Sequence, residues 1–237
     1  MPFINPVTDY AFNKIFASYG NEDILMNFLN AFIYKGENVI QSLDVIEPYH
    51  LGKFADVKVI PHYFNTKVQL NTGKDLLIGI QIYNTPTGAE QIMYHAAKAY
   101  AEQREMFIPH REPRLLDSFS LAITDFVFLQ QGENPLSHFQ LVEETEGFLH
   151  PDQSWQLFVV QLPLFNKKLE ELETLADRWL YFLRNAPILT EIPESLKLVE
   201  SIEKAFNIAD QANWKPADLA DLAERELLIQ QQIVTAK

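Results

Sequence analysis

The sequence predicts a mixed α/β fold: one large domain with additional helices toward the carboxyl end. Apolar residues recur at helical spacing in some segments and alternate with polar residues in others. The resulting order of helix, strand, hairpin, helix and strand is not the regular βαβ alternation of a doubly wound sheet. The 237-residue chain is 47% apolar and 12% aromatic, so it can bury a core of its own.

The individual elements follow from local patterns. Helices are predicted where apolar residues share one helical face, strands where β-branched and aromatic residues dominate, and breaks at glycine or proline. In chain order they are two short helices over 7–34, a strand over 39–47, an irregular segment 48–62, a hairpin 63–83, a helix 88–105, strands 118–129, 137–143 and 155–161, and helices 166–185, 194–212 and 216–233. We divide the chain into a core at 1–165 and a helical region at 166–237, packed on or beside that core.

The hairpin is the most informative segment. Its turn is 71–73, where Gly73 supplies the positive φ that such turns need. Strand alternation places Gly79 and Gln81 on one face, opposite to the isoleucines of the same strand. Asn65 lies on the matching face of the partner strand. We expect this more polar face to turn toward a cleft or solvent.

Charge and composition exclude several functions. The 19 basic and 32 acidic residues give a formal net charge of −13, which disfavours strong non-specific binding to DNA. The chain has no cysteine, and its six histidines lack the i, i+4 pairing typical of zinc sites. No apolar run is long enough to span a membrane, and the amino terminus lacks a signal-peptide pattern. We therefore expect a cytoplasmic protein.

Several strings, in order along the chain, resemble one family. They are NPVTDYAFNKIF at 5–16, DILMNFLNA at 23–31, LNTG at 70–73, YHAAKAY at 94–100, LETLADRWLYFLRNA at 172–186 and AFNIADQAN at 205–213. Together they resemble the recombination-promoting nucleases, also called PD-(D/E)XK nuclease family transposases, over nearly the whole chain. The resemblance implies a restriction-endonuclease-like core, with a mixed sheet flanked by helices, and Mg²⁺-dependent cleavage of DNA.

The resemblance also implies where the catalytic residues would stand. Such nucleases hold the ion with an Asp and a Glu, and a Lys or Gln two residues later orients the water or the phosphate. Carried over through the LNTG turn, the Asp falls at Asn65, the Glu at Gly79 and the Lys or Gln at Gln81. Asn65 keeps a neutral carbonyl oxygen, and Gly79 has no side chain. We therefore expect no metal site and no cofactor; Mg²⁺ is the cofactor if the protein is active.

Other departures from the family pattern also remove charge. Gln91 stands where relatives carry Arg, and Gln161 and Leu164 stand where they carry Glu and Lys. Correlated loss of charge is expected once a site no longer needs its ion. The remaining positions that the resemblance places along the cleft are Tyr94, Tyr100 and Gln103.

Three interpretations remain open. The first is a degenerate family member that binds DNA weakly, or that pairs as a homo- or hetero-oligomer with a like-folded protein. The second is an active endonuclease promoting recombination, its acids relocated to Asp56 or Glu90, although Glu90 could simply complement the N-terminus of its helix. The third is a protein-interaction module that uses its acidic surface or C-terminal helices. His62 and His95 could also approach each other near the cleft.

Overall fold

A six-stranded sheet forms the centre of the computed structural model, which describes residues 3–46, 62–84, 89–106, 115–127, 129–151 and 153–235. The strands are β1 (Ile40–Ile46), β2 (His62–Leu70), β3 (Asp75–Tyr83), β4 (Asp117–Thr124), β5 (Leu136–Phe139) and β6 (Trp155–Gln161). Their spatial order is β1-β2-β3-β4-β6-β5. β4 runs parallel to both β3 and β6, whereas the other neighbouring pairs are antiparallel. The mixed sheet confirms the predicted fold class.

Helices cover both faces of this sheet. The α-helices within the described ranges are α1 (Asp9–Phe12), α2 (Glu22–Ile33), α3 (Ala89–Met106), α4 (Leu175–Asn185), α5 (Glu194–Lys197), α6 (Glu200–Ala209) and α7 (Pro216–Thr235). α3 connects β3 to its parallel neighbour β4 and packs on one face. α2, α4 and α6 pack on the other face, against the isoleucines of β3. No helix within the described ranges is both long enough and apolar enough to cross a membrane.

The amino-terminal and carboxyl-terminal helices share one apolar core. The ring of Trp179 on α4 lies 5.4 Å from that of Phe28 on α2 and 5.6 Å from that of Phe16. Near the start of the chain, the Ile4 backbone N–H donates to the Ala209 carbonyl at the end of α6, at 2.8 Å. The C-terminal helices thus complete the core on this face, and the division of the chain at residue 165 stays a prediction.

Two predicted helices differ from the observed ones. The helix expected over 166–185 begins only at Leu175, because Thr174 and Asp177 form a capping box that fixes its first turn. The helix expected over 194–212 is interrupted between α5 and α6, where Val199 has an extended backbone. Two predicted strands were also too long, since β4 ends at Thr124 and β5 at Phe139.

Candidate functional site

The turn of the β2–β3 hairpin sets which residues face each other. The Leu70 N–H donates to the Lys74 carbonyl at 2.9 Å, and the Gly73 N–H donates to the Leu70 carbonyl at 2.8 Å. Gly73 has φ +78°, which favours glycine. The antiparallel register that results places Asn65 directly opposite Gly79. The predicted hairpin and its turn are confirmed.

A row of three positions crosses the middle of the sheet. Gly79 pairs with Asn65 of β2 on one side and with Ser120 of β4 on the other. Gln81 lies on the same face, two residues further along β3 and therefore about 7 Å away. These three paired residues together with Gln81 make four, and we call the four the central row: Asn65, Gly79, Ser120 and Gln81. Its members come from three adjacent strands, so the sheet itself holds them in place.

The central row is buried, which corrects the expectation that this face turns toward a cleft or solvent. Asn65 is 5% exposed, and the Gln81 and Ser120 side chains are completely inaccessible. Helix α3 crosses this face, and its residues Ile92 and Ala96 belong to the apolar cluster formed there. The strand pattern could not reveal this burial, because it depends on how the β3–β4 connection packs.

Several buried polar atoms on this face have no hydrogen-bond partner among the described residues. They are Asn65 Oδ1, Gln81 Nε2, Ser118 Oγ and Ser120 Oγ. Each such atom costs about 1–3 kcal/mol of stability, and native cores contain few of them. Their concentration on one face indicates the lining of a polar site rather than an ordinary core. Neither serine was predicted as a site residue, although the two recur two residues apart in an otherwise apolar strand.

Gln81 is held by a short chain of side chains. The Tyr83 hydroxyl lies 2.5 Å from Gln81 Oε1 and 2.8 Å from His95 Nδ1 on α3. Burial, with a smaller contribution from Lys98, lowers the pKa of His95 below its ordinary value, so the ring is neutral at pH 7. A neutral ring that donates from Nδ1 leaves the hydroxyl to donate to Gln81. His95 therefore forms a hydrogen bond with Tyr83. The side chain of His62 lies outside the described part of the chain, so the approach of His62 to His95 stays a prediction.

Three of the candidate residues on α3 do not reach the central row. Glu90, Gln91 and Tyr94 are exposed on this helix, and Tyr94 is 62% accessible. Tyr94, which the resemblance places along the cleft, therefore points away from the buried face of the sheet, and its role at a cleft stays a prediction. The other proposed acid, Asp56, lies outside the described residues.

The remaining candidates connect α3 and β6 to their surroundings. The buried side chain of Gln103 donates to the Leu116 carbonyl at 3.2 Å and accepts from its N–H at 2.9 Å, which ties α3 to the start of β4. The Tyr100 hydroxyl lies 3.5 Å from Ser154 Oγ. Gln161, at the end of β6, accepts from the Leu129 N–H at 2.9 Å. In their described contacts, Gln103 and Gln161 bond to backbone groups of neighbouring segments and so hold those segments in place.

The central row does not fit a magnesium ion. Mg²⁺ binds oxygen ligands and is usually held by at least one carboxylate. The row offers two amide oxygens, one hydroxyl and no carboxylate, and the Gln81 oxygen already accepts from the Tyr83 hydroxyl. Asp75, on the same face of β3, is about 13 Å along the strand from Gly79 and forms an ion pair with Lys67 at 2.8 Å. Within the described ranges, no three His, Cys, Asp or Glu side chains are grouped so that they could hold a metal.

A mixed sheet flanked by helices, with a central hairpin, is consistent with the PD-(D/E)XK class of α/β folds. Residues 6–232 match the family described as PD-(D/E)XK nuclease family transposase. Because this match spans nearly the whole chain, the protein belongs to that family, and the resemblance noted in the sequence is confirmed. No curated protein and no solved structure matches the chain significantly.

Proposed function

We propose that this protein is a degenerate PD-(D/E)XK family member that keeps the nuclease fold without the metal site and does not cleave DNA. The observation that supports this most strongly is the pairing of Asn65 with Gly79. Directly opposite residues on antiparallel strands have Cβ atoms about 5 Å apart, a separation that lets two carboxylates share one ion. Here one position carries an amide and the other carries no side chain.

The net charge of the chain indicates how strongly the protein can bind DNA. With a net charge of −13, the protein as a whole repels phosphate, so any contact with a duplex is weak and sensitive to salt. Pairing with an active, like-folded relative would let such a protein act at DNA without cutting it. We thus propose that the protein has a binding or regulatory role and keeps the nuclease fold without its cleavage activity.

A plasmid assay tests the proposal. Purified protein is incubated with supercoiled plasmid and Mg²⁺ or Mn²⁺, alongside Glu90→Gln and Asp56→Asn variants. We expect no nicking above the buffer control for any of the three proteins. Nicking by the wild-type protein that either variant abolishes would overturn the proposal, and would favour an active endonuclease whose acids have moved.

A further inference from the structure

A hairpin at the edge of the sheet presents a cluster of exposed apolar side chains. β5 is an edge strand, paired only with β6 among the described strands. A hairpin follows β5 and extends to residue 150. We call residues 139–150 the acidic arm. Of twelve exposed large hydrophobic residues in the described part of the chain, five fall within the arm. They are Phe139 (41% accessible), Leu141 (48%), Val142 (55%), Phe148 (50%) and Leu149 (50%).

This clustering separates the arm from ordinary surface residues. Single exposed hydrophobic side chains are common on soluble proteins, whereas adjacent ones mark interaction surfaces. The other exposed apolar residues, such as Ile188 and Leu198, lie in other segments of the chain. Five exposed apolar side chains within eleven consecutive residues of one hairpin need an explanation that isolated residues do not.

The arm is an ordered hairpin. The Glu143 N–H donates to the Phe148 carbonyl at 2.8 Å, the His150 N–H donates to the Leu141 carbonyl at 3.0 Å, and Val142 pairs with Leu149. These backbone bonds fix the hairpin backbone that carries the apolar side chains before any partner arrives. A preorganised surface loses less conformational entropy on binding than a flexible one.

The charge of the arm identifies the kind of partner. The sequence has no Lys or Arg anywhere in 115–166, a stretch that contains seven acidic residues, three of them in the arm. Backbone N–H groups of Glu146 and Thr145 hold the pKa of the Glu143 carboxyl below its usual range, so this acid stays ionised. Phosphate and a second acidic copy of the chain are both repelled by such a surface.

We infer that the acidic arm and the open edge of β5 form a docking surface for a protein segment that carries apolar and basic side chains. The apolar residues of the partner cover those of the arm, and its Lys or Arg residues lie beside Glu143, Glu144 and Glu146. Backbone groups on the free edge of β5 can pair with the partner in an extended conformation. The arm can dock such a partner whether or not the central row binds metal.

A pair of labelled peptides provides the probe. The first is a short synthetic peptide in which Val or Leu alternates with Lys, and the second has Glu in place of every Lys. We expect the basic peptide to bind the full-length protein, in fluorescence anisotropy, with an affinity that falls as salt is raised. The acidic peptide should not bind. Equal binding of both peptides would overturn the inference.

Matched variants locate the binding. Replacing Phe148 and Leu149 together by Ser should weaken binding of the basic peptide by about tenfold or more, whereas the same change at Ile188 and Leu198 should have no effect. Glu144→Gln with Glu146→Gln should weaken it several-fold. Glu170→Gln with Glu173→Gln removes the same charge from another exposed segment and should not. If the two charge variants lose affinity equally, the attraction is not specific to the arm and the inference fails.

Two further experimental outcomes would assign the acidic arm to a different kind of partner. A dimer in sedimentation equilibrium that Phe148→Ser dissociates would assign the arm to self-association. Binding of a duplex oligonucleotide that the charge variant at residues 144 and 146 strengthens and the Ser variant weakens would assign it to DNA. We expect a monomer in the first experiment and no arm-dependent binding in the second.

Discussion

Ser120 and Thr124 lie on the same face of β4, both fully buried, and differ in whether the hydroxyl has a partner. Thr124 Oγ1 donates to the Phe126 carbonyl at 2.8 Å, whereas Ser120 Oγ has no partner among the described residues. A buried hydroxyl that is paired contributes to stability, and one that is unpaired reduces it. The two residues therefore make a matched test of the polar lining.

We expect Ser120→Ala to leave the free energy of unfolding unchanged or to raise it by up to about 1 kcal/mol, because it removes an unpaired hydroxyl. Thr124→Val keeps the shape but removes a donor, so it should lower stability by about 1–2 kcal/mol. Denaturant unfolding of both variants measures the difference. A clear loss of stability in Ser120→Ala would mean that an ordered partner, such as a buried water, satisfies this hydroxyl.

Part of the site could be predicted residue by residue. The turn at Gly73 and the alternation of β3 were enough to pair Asn65 with Gly79 and to place Gln81 on the same face. Two things could not be predicted. The first is the burial of that face, which depends on how α3 packs against it. The second is the contact between Tyr83 on β3 and His95 on α3, because it depends on where the connection between this strand and this helix places the helix.

At the scale of elements, α4 shows how local chemistry sets a boundary. The Asp177 carboxylate accepts from the Thr174 N–H at 2.9 Å and pairs with Lys167 at 2.9 Å. Hydrophobic periodicity alone extended the predicted helix back to residue 166, because it carries no information about which residue caps the first turn. The pattern of Thr followed three residues later by Asp was the signal that would have placed the start at Leu175.

The same carboxylate should make stability depend on pH. Desolvation raises the pKa of Asp177, but the bonds from Lys167 and from Thr174 outweigh it, so the pKa lies below its ordinary value of 3.8. The unfolded chain therefore binds this proton more readily than the folded one. The stabilising contribution is present above the unfolded pKa and is lost as pH falls through the lower folded pKa.

Asp177→Asn should accordingly lower the free energy of unfolding by about 1–2 kcal/mol at pH 7. The difference in free energy of unfolding between the variant and the wild-type protein should become smaller as the pH is lowered below 3.8. Glu194→Gln is the control, because Glu194 forms an exposed ion pair with Lys197 that contributes little. A gap that stays constant down to acidic pH would contradict this account of the cap.

At the scale of the whole molecule, the core joins both ends of the chain. The Trp179 indole N–H donates to Asn27 Oδ1 at 2.9 Å, and the rings of Phe3 and Phe206 lie 5.1 Å apart. Removing the helices after residue 165 would expose the apolar faces of α2 and of the sheet. This arrangement was not predictable from the sequence, since the C-terminal helices could equally have packed beside the core.

A chain truncated after residue 165 is therefore expected not to fold. The loss of a buried tryptophan side chain alone costs about 3–5 kcal/mol, a large fraction of the stability of a typical domain. Circular dichroism and denaturant unfolding of the fragment give the result. A cooperative unfolding transition in the fragment would show that residues 1–165 form an independent domain.

We propose that the hairpin keeps the geometry of a metal site without its ligands. The most direct test is thermal unfolding with and without Mn²⁺, for the wild-type protein and for an Asn65→Asp, Gly79→Glu double variant. Two carboxylates buried side by side repel each other, so the double variant should be the less stable protein without metal. An ion that binds only the folded state raises its melting temperature.

We predict that Mn²⁺ leaves the melting temperature of the wild-type protein unchanged and raises that of the double variant by several degrees. A folded double variant that does not respond to Mn²⁺ would mean that Asn65 and Gly79 are not the positions of the missing acids. A rise in the wild-type protein that Asn65→Ala abolishes would contradict the claim outright, because the site would then bind metal as it stands.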